Sequence, residues 1–337
     1  MSRKTVIAAA IAAASLVFGA SFAAASSAGG SLKGAGSTFV FPLVSQWQAN
    51  YKNAQITYGS VGSGAGIAAI TARTVDFGAS DAPLTPDQAS SCKDCVQVPW
   101  ALAATLVSYN VKGAPAKLKL SGPVLANIYL GKVTQWNDPS IAALNPGANL
   151  PATTIRPVFR SDSSGDTYAF SDFLAKASPE WKAEKGVSTQ VNFTTGVGGK
   201  GNDGVAAAIE REDGTIGYLA ISYVFTNKLD YALIRNQAGK FPVPGPDTIT
   251  AAADAVKTIP ADNAISITNP PASAADAYPI STFTYAIFPT TSSKATALSD
   301  FVTYAIGPGQ KFGAKLHFAP LPAKVVSATK QTLAKLG

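Results

Sequence analysis

Short apolar runs alternate along the chain with longer segments whose apolar residues recur at helical spacing. Strand-like runs occur at 55–61, 155–159 and 215–219, and helical spacing is clear in 43–51 and 168–174. A regular alternation of strands and helices is typical of α/β proteins, in which helices cover a mainly parallel sheet. The pattern therefore predicts an α/β chain with two mostly parallel sheets.

Two apolar runs, at 99–111 and 278–289, are longer than the others. Both are too short to span a bilayer as helices, so they are interpreted as long buried strands. As crossings between two lobes, they divide the chain into a discontinuous lobe I, residues 29–110 plus 279–337, and a lobe II, residues 111–278.

The flanking segments carry simpler predictions. Residues 27–33 look like a flexible leader, and residues 245–271, 293–306 and 320–335 are expected to be helices, the last two near the end of the chain.

The N-terminus has the pattern of a secretory signal peptide, assigned to residues 1–28. Arg3 and Lys4 precede an apolar run over 6–20, and small residues suited to cleavage follow at 23–28. A cysteine near the cleavage region would indicate a lipid anchor, and none is found there. We expect a periplasmic or secreted protein.

Composition and charge narrow the function classes. Hydrophobic residues make up 47% and charged residues 14% of the 337, which excludes a disordered chain. The net charge is +7, or two units less without Arg3 and Lys4, and it is thinly spread. Because no basic cluster alternates with aromatic residues, nucleic-acid binding is not expected. A mild positive field favours the arrival of a small anion.

The two cysteines, Cys92 and Cys95, are three residues apart. Behind a signal peptide this spacing favours a disulfide, whereas in the cytosol it would indicate a redox or metal pair. A zinc site would need two further good ligands, and His317 is the only histidine. We expect neither a metal nor a cofactor.

Glycine and hydroxyl residues precede several predicted helices. Such turns occur at 34–42, 62–66 and 160–167. Each exposes unpaired N–H groups at a helix N-terminus, which suits an oxyanion, and Arg160 adds a guanidinium. An ordinary capped helix explains each turn taken alone, and in 160–167 the cap would be Ser164 or Asp166.

Glycines at 62, 64 and 66 miss the spacing of a dinucleotide-binding turn. In the glycine-rich loop 196–204, Lys200 is followed by Gly201 where a P-loop needs Ser or Thr, so we interpret the loop as a tight turn near a cleft.

Six motifs together resemble the periplasmic phosphate-binding proteins of phosphate ABC importers, over nearly the whole chain after the signal peptide. The motifs are Gly34-Ala35-Gly36-Ser37-Thr38-Phe39, Thr74-Val75-Asp76-Phe77-Gly78-Ala79-Ser80-Asp81, Ile128-Tyr129-Leu130-Gly131-Lys132, Trp136-Asn137-Asp138, Arg160-Ser161-Asp162 with Ser164-Gly165, and Gly198-Gly199-Lys200-Gly201-Asn202-Asp203-Gly204. The resemblance implies a two-lobed type II binding protein whose two crossing strands form a hinge and whose cleft closes on phosphate. It also implies a monomer that catalyses no reaction and delivers phosphate to the permease subunits in the membrane.

The resemblance places ligand contacts on a defined set of residues. They are Thr38, Phe39, Ser63, Asp81, Arg160, Ser164 and Gly165, with Ser37 from the same motif as Thr38 and with Asp162 orienting Arg160. The next family contact is often a threonine, and here that position is Asp166. Either Asp166 accepts a hydrogen bond from a protonated phosphate oxygen, or Thr167 supplies the missing hydroxyl.

Asp81 is expected to discriminate between oxyanions. An ionised carboxylate only accepts hydrogen bonds, so a phosphate that still carries a proton satisfies it and sulfate leaves two acceptors opposed. The main alternatives are a secreted phosphatase, a binding protein for another oxyanion such as sulfate or molybdate, and an adhesion or matrix protein. Because His317 lies far from any serine motif of a hydrolase, we interpret it as a structural residue.

Overall fold

The computed structural model describes residues 30–336 and confirms the α/β class. The strands are β1 (Ser31–Gly36), β2 (Gln55–Ser60), β3 (Phe77–Ser80), β4 (Cys95–Asn110), β5 (Lys119–Leu120), β6 (Arg156–Arg160), β7 (Val197–Gly199), β8 (Thr215–Ala220), β9 (Asp230–Tyr231), β10 (Leu233–Ile234) and β11 (Ser281–Pro289).

Helices fill most of the connections. They are α1 (Phe41–Asn50), α2 (Ser63–Thr71), α3 (Pro86–Ser91), α4 (Gly122–Tyr129), α5 (Pro139–Ala142), α6 (Gly165–Ala177), α7 (Pro179–Glu184), α8 (Gly201–Arg211), α9 (Ile221–Thr226), α10 (Pro246–Asp254), α11 (Ala295–Ile306) and α12 (Ala323–Leu333). Two short 3₁₀ helices, Pro308–Phe312 and Ala314–Leu316, lie between α11 and α12.

The principal sheet has the strand order β2-β1-β3-β11-β4-β8-β6-β7, and β9 adds to β4. The strands β2, β1 and β3 are parallel to one another, and so are β8, β6 and β7. Between these groups, β11 is antiparallel to β3 and β4, and β4 is antiparallel to β8. The two mostly parallel sheets expected from the sequence are thus joined through two antiparallel strands.

Strand β4 is shared between the two groups. Its first part, residues 95–104, pairs with β11, and its second part, residues 105–110, pairs with β8. We call the strands β1–β3 and β11 with their helices the first half, and β6–β8 with theirs the second half. The long apolar strands expected from the sequence therefore lie where the halves join.

Each half has its own aromatic cluster in the core. In the first half Trp47, Phe77, Trp100 and Phe301 contact one another with ring centroids 5.1–6.3 Å apart. In the second half the fully buried rings of Tyr129, Phe170 and Tyr218 pack together, with Phe170 stacked on Tyr218 at 4.4 Å. Two separate clusters fit a molecule built from two packed units.

Two predictions about local structure were wrong. The helix expected over 245–271 ends at Asp254, and irregular backbone follows up to β11. Proline in this stretch removes backbone donors and fixes φ, so it opposes a continued helix. The expected leader is also shorter, because Ser31–Lys33 pairs with Gln55–Thr57 at the start of β1. The helices predicted near the C-terminus are confirmed as α11 and α12.

Cys92 and Cys95 are joined by a disulfide at the start of β4, and the guanidinium of Arg73 donates to the carbonyl oxygens of Cys92 and Lys93 beside it. Among residues 30–336, no helix is long and apolar enough to cross a membrane. The proposed signal peptide, residues 1–28, lies outside this described range.

Candidate anion-binding site

Polar residues follow the carboxyl ends of strands in both halves. Ser37 and Thr38 come directly after β1, Asp81 follows β3, and Arg160 is the last residue of β6. Parallel strands present their carboxyl ends at one edge of the sheet, where ligands bind in open α/β folds. Ser63 is the first residue of α2, after β2.

The structure brings the candidate residues from both halves together in one buried cluster. Ten of them are buried, and the nine other than Gly165 have at most 5% of their surface exposed. The ten are Ser37, Thr38, Phe39, Ser63, Asp81, Arg160, Ser164, Gly165, Asp166 and Thr167. The Asp162 side chain is 14% exposed at the edge of the cluster. The ring of Phe39 packs edge-on against Phe318, and its backbone N–H donates to Ser37 Oγ at 3.0 Å.

Hydrogen bonds connect the two halves across this cluster. The N–H of Gly165 donates to Ser63 Oγ at 3.1 Å, and Asn202 Nδ2 donates to Thr38 Oγ1 at 2.8 Å. The hydroxyl of Tyr223 donates to the Thr38 carbonyl at 2.9 Å. Residues far apart in sequence thus form one continuous polar network.

Backbone donors fix the polarity of two serine hydroxyls. Ser164 Oγ caps α6 by accepting from the N–H groups of Asp166 and Thr167 at 3.0 and 3.4 Å. Ser63 Oγ accepts from the N–H groups of Asp81 and Gly165 at 3.3 and 3.1 Å. A hydroxyl oxygen has two lone pairs and one hydrogen. Because both oxygens already accept twice, each can only donate its hydrogen: Ser63 donates to Asp81 Oδ2 at 3.4 Å, and the hydrogen of Ser164 is left to be donated.

Two carboxylates hold the guanidinium of Arg160. Asp162 accepts from Nε at 2.8 Å and from Nη2 at 2.6 Å, while Asp166 accepts from Nη1 at 2.7 Å. Burial opposes ionisation of Asp162, but the hydrogen bonds and charge of Arg160 hold its pKa below the ordinary value. The orientation of Arg160 by Asp162, expected from the sequence, is present in this geometry.

Asp81 is surrounded by hydroxyl groups. Ser37 Oγ lies 2.7 and 2.6 Å from its two carboxylate oxygens, and Thr284 Oγ1 donates to Oδ1 at 2.8 Å. Burial, and next the charge of Asp166, raise the pKa of Asp81 to about 7, although these hydroxyls oppose the shift. The sequence argument treated Asp81 as fully ionised at neutral pH, and the buried geometry gives it a substantial protonated fraction there.

Asp166 is a completely buried carboxylate with three partners. Arg160 and Asn202 donate to Oδ2 and Thr105 donates to Oδ1, the last at 2.9 Å. Burial raises the pKa of Asp166 in spite of these donors. The hydroxyl of Thr167 lies 2.8 Å from that of Tyr218. Both side chains are thus bonded within the protein, and the choice between Asp166 and Thr167 as a ligand contact stays a prediction.

The backbone approaches Asp81 very closely at Gly165. A Cβ atom at this position would lie 2.4 Å from the Cβ and from Oδ2 of Asp81, far inside van der Waals contact. Gly165 is therefore required for the start of α6 to lie directly against the first half.

Sequence reasoning missed several residues that contact the predicted set, among them Thr105, Asn202, Tyr223 and Thr284. Asn202 lies in the motif 198–204, and its position between glycines is the sequence feature that could have identified it as a site residue. Thr105 and Thr284 lie in the two long apolar runs, and a threonine in such a run gives no sign of its partner.

Comparisons with known proteins place the chain in a family. A model of the PBP superfamily domain matches residues 23–308. The phosphate-binding protein PstS of Xylella fastidiosa is 41% identical over 303 residues, covering 88% of this chain and 82% of the relative. The chain belongs to the PstS family of phosphate-binding proteins. PstS of Haemophilus influenzae is 36% identical, covering 89% of this chain and 91% of its own.

Solved structures share the fold. A phosphate-binding protein from Stenotrophomonas maltophilia superposes with a TM-score of 0.71 at 20% identity, covering 89% of this chain and 93% of that one. A periplasmic phosphate-binding protein called PfluDING, solved with phosphate, gives a TM-score of 0.71 at 23% identity over 90% and 93% of the two chains. The predicted type II binding-protein fold is thereby confirmed.

Proposed function

We propose that this PstS family member binds inorganic phosphate in the cluster around Arg160 and Asp81. The observation that carries the proposal is the division of roles among its polar groups. Ser164 has a hydrogen left to donate, Ser63 donates to Asp81 at 3.4 Å, and Asp162 and Asp166 are paired with Arg160. Asp81 instead accepts from neutral hydroxyls, so its charge is not matched by a direct cation.

This division suits an oxyanion that still carries a proton. The hydroxyls of Thr38 and Ser164 donate to phosphate oxygens, and so do the guanidinium hydrogens that are not bonded to Asp162 or Asp166. The N–H groups at the start of α6 are bonded to the oxygens of Ser63 and Ser164. Asp81 then accepts the proton of hydrogen phosphate. Sulfate has no proton near neutral pH, and an ionised Asp81 would oppose it with an unsatisfied charged acceptor. We therefore propose phosphate, rather than sulfate, as the ligand.

Among the candidate contacts, the proposed ligand set is the one expected from the sequence. It comprises Ser37, Thr38, Phe39, Ser63, Asp81, Arg160, Ser164, Gly165, Asp166 and Thr167, with Asp162 orienting Arg160. Ser37 and Thr167 contribute indirectly in this proposal, since Ser37 is bonded to Asp81 and Thr167 to Tyr218.

We also propose that the halves act as two lobes that close on phosphate. The division expected from the sequence, 29–110 plus 279–337 against 111–278, is supported by the shared strand β4. The partners of β4 change between Ala104 and Thr105, and β11 begins at Ser281, so we place the crossings there. Each crossing is a single extended segment, which suits a hinge.

Family membership supports delivery of the bound phosphate to the permease subunits of an ABC importer, and the N-terminal pattern supports export from the cytoplasm with removal of residues 1–28. We propose binding and release without catalysis. The relatives are named as binding proteins, and His317, the only histidine, stacks on Phe225 with the ring centroids 4.0 Å apart. That ring is not placed as the base of a serine nucleophile.

The test is a set of titrations on the purified chain from residue 29 onward, after bound anions have been removed. Calorimetry with phosphate should give saturable one-to-one binding, and sulfate at the same concentrations should give none at about pH 8. Incubation with a chromogenic phosphate ester should release no phosphate. Equal binding of sulfate, or turnover of the ester, would contradict the proposal.

A further inference from the structure

Asn202 is a fully buried amide at the contact between the two halves, and it was not among the predicted ligand residues. It is the second residue of α8. The preceding Gly201 has a φ of +66°, which L side chains rarely adopt, and this turn directs the start of the helix toward Thr38. A buried amide without partners would be costly, so its hydrogen bonds indicate its role.

The orientation of the Asn202 amide is fixed by the backbone. Its Oδ1 accepts from the N–H of Ala220 at 2.7 Å, and a backbone N–H can only donate. The other side of the amide is therefore the NH₂ group. That group donates to Thr38 Oγ1 at 2.8 Å and to Asp166 Oδ2 at 2.9 Å, using both of its hydrogens.

This geometry determines what Thr38 can do. Its Oγ1 accepts from the side chain of Asn202 and also from the Asn202 backbone N–H at 3.3 Å. Both lone pairs of the hydroxyl are then occupied, and its hydrogen remains to be donated. Ser164 is held in the same state by the backbone N–H groups of Asp166 and Thr167, so Asn202 orients the Thr38 hydroxyl as the start of α6 orients that of Ser164.

We propose that Asn202 is a positioning residue that makes Thr38 an obligatory donor toward the anion and links this donor to Asp166 across the two halves. The inference rests on the proposed phosphate function. Thr38 belongs to the first half, whereas Asn202 and Asp166 belong to the second, so the bonds between Asn202 and Thr38 exist only while the halves are in contact, and the bond to Asp166 lies within the second half. Asn202 thereby couples closure of the lobes to the polarity of the site.

The sharpest test is the nearly isosteric Asn202→Asp. At about pH 8 the new carboxylate places an acceptor oxygen where the NH₂ donor stood, opposite both Thr38 and Asp166. Two carboxylates so close share a proton, which raises the pKa of one of them. As the pH falls, that proton restores a donor. The charged groups near the Asn202 amide are Asp166 and Arg160; both the amide and the guanidinium donate to Asp166 Oδ2. The titratable Tyr223 is bonded to the Thr38 carbonyl.

We expect Asn202→Asp to weaken phosphate binding about 100-fold relative to the unaltered protein at about pH 8 and less than about 10-fold at about pH 5.5. Asn202→Ala should lose about 10-fold at both pH values, because it has no group to protonate. The ratio to the unaltered protein at each pH removes the titration of phosphate itself.

The matched control is Asn236→Asp, which changes a buried amide bonded to the carbonyls of Ala275 and Ala277. Its binding ratio should stay near one at both pH values, whatever its effect on unfolding temperature. A pH-independent ratio for Asn202→Asp, or unchanged binding by Asn202→Ala, would overturn the inference while the phosphate function stood. If the unaltered protein bound no phosphate, the proposed function would fail first.

Discussion

Replacement of Asp81 by asparagine tests the central element of the proposed selectivity. The substitution keeps the size of the side chain and one acceptor oxygen, and it replaces the other oxygen by a donor. In the structure Thr284 donates a hydrogen bond to Oδ1, and the amide oxygen of asparagine can accept the same bond. The NH₂ group of the variant then takes the place of Oδ2, the oxygen nearest Ser63 Oγ, at 3.4 Å.

The magnitudes follow from the hydrogen bonds gained and lost. Phosphate loses a charge-assisted bond to a carboxylate, which is worth about 1.5–3 kcal/mol, so its Kd should rise about 10- to 100-fold. Sulfate is relieved of a buried charged acceptor and gains a donor. If this relief is worth about 2–4 kcal/mol, sulfate binding should tighten about 30- to 700-fold. Discrimination between the anions should therefore fall by at least about 300-fold.

The assay is competitive calorimetry of both anions at about pH 8, above the raised pKa of Asp81, so that the unaltered carboxyl is mostly ionised. Asp276→Asn is the matched control, because it removes one carboxylate from a side chain that is 80% exposed. It should leave both affinities within about twofold. The reasoning would be refuted if Asp81→Asn bound phosphate normally and still excluded sulfate.

Two further predictions concern the same network. Since the Asp81 pKa is raised to about 7, its carboxyl gains a proton as the pH falls through that value. The sulfate affinity of the unaltered protein should therefore rise about tenfold between about pH 8 and pH 6. Sulfate titrations of Asp81→Asn should not show this rise. In Gly64→Ala, the new Cβ would lie 2.2 Å from Ser163 Oγ, so phosphate calorimetry should show about 5- to 100-fold weaker binding. Adding Ser163→Gly should restore the affinity. The control Gly59→Ala, whose new Cβ has its nearest contact at 3.7 Å, should bind phosphate normally.

The fold was predictable in class because periodicity and run length are local properties. The runs at 99–111 and 278–289 indicated β4 and β11, and their length indicated a role in joining two units. Their antiparallel pairing was not predictable, since strand partners depend on how the whole sheet assembles. The helix predicted over 245–271 was wrong beyond Asp254, and the irregular backbone that follows contains Pro260, Pro270 and Pro271, which oppose a continued helix.

The candidate site shows a similar division. Ser164 as the cap of α6 follows from local sequence, since a serine before a helical pattern accepts from N–H groups two and three residues later. The contacts of Asn202 and Thr284 do not, because their partners lie 164 and 203 residues away. The raised pKa of Asp81 was equally hidden, since it depends on burial and on a second carboxyl from the other half.

The charges of the site indicate that selectivity depends more on whether the anion carries a proton than on attraction between opposite charges. Asp81, Asp162 and Asp166 lie near a single guanidinium, so the site is formally negative when all three are ionised. An anion bound there is stabilised mainly by neutral donors, which are hydroxyls whose lone pairs are already occupied. Asp162 and Asp166 balance Arg160, and the free acceptor of the site is Asp81. Because that carboxyl is buried without a direct cation, an anion that brings no proton leaves it unsatisfied, and selectivity follows from this cost.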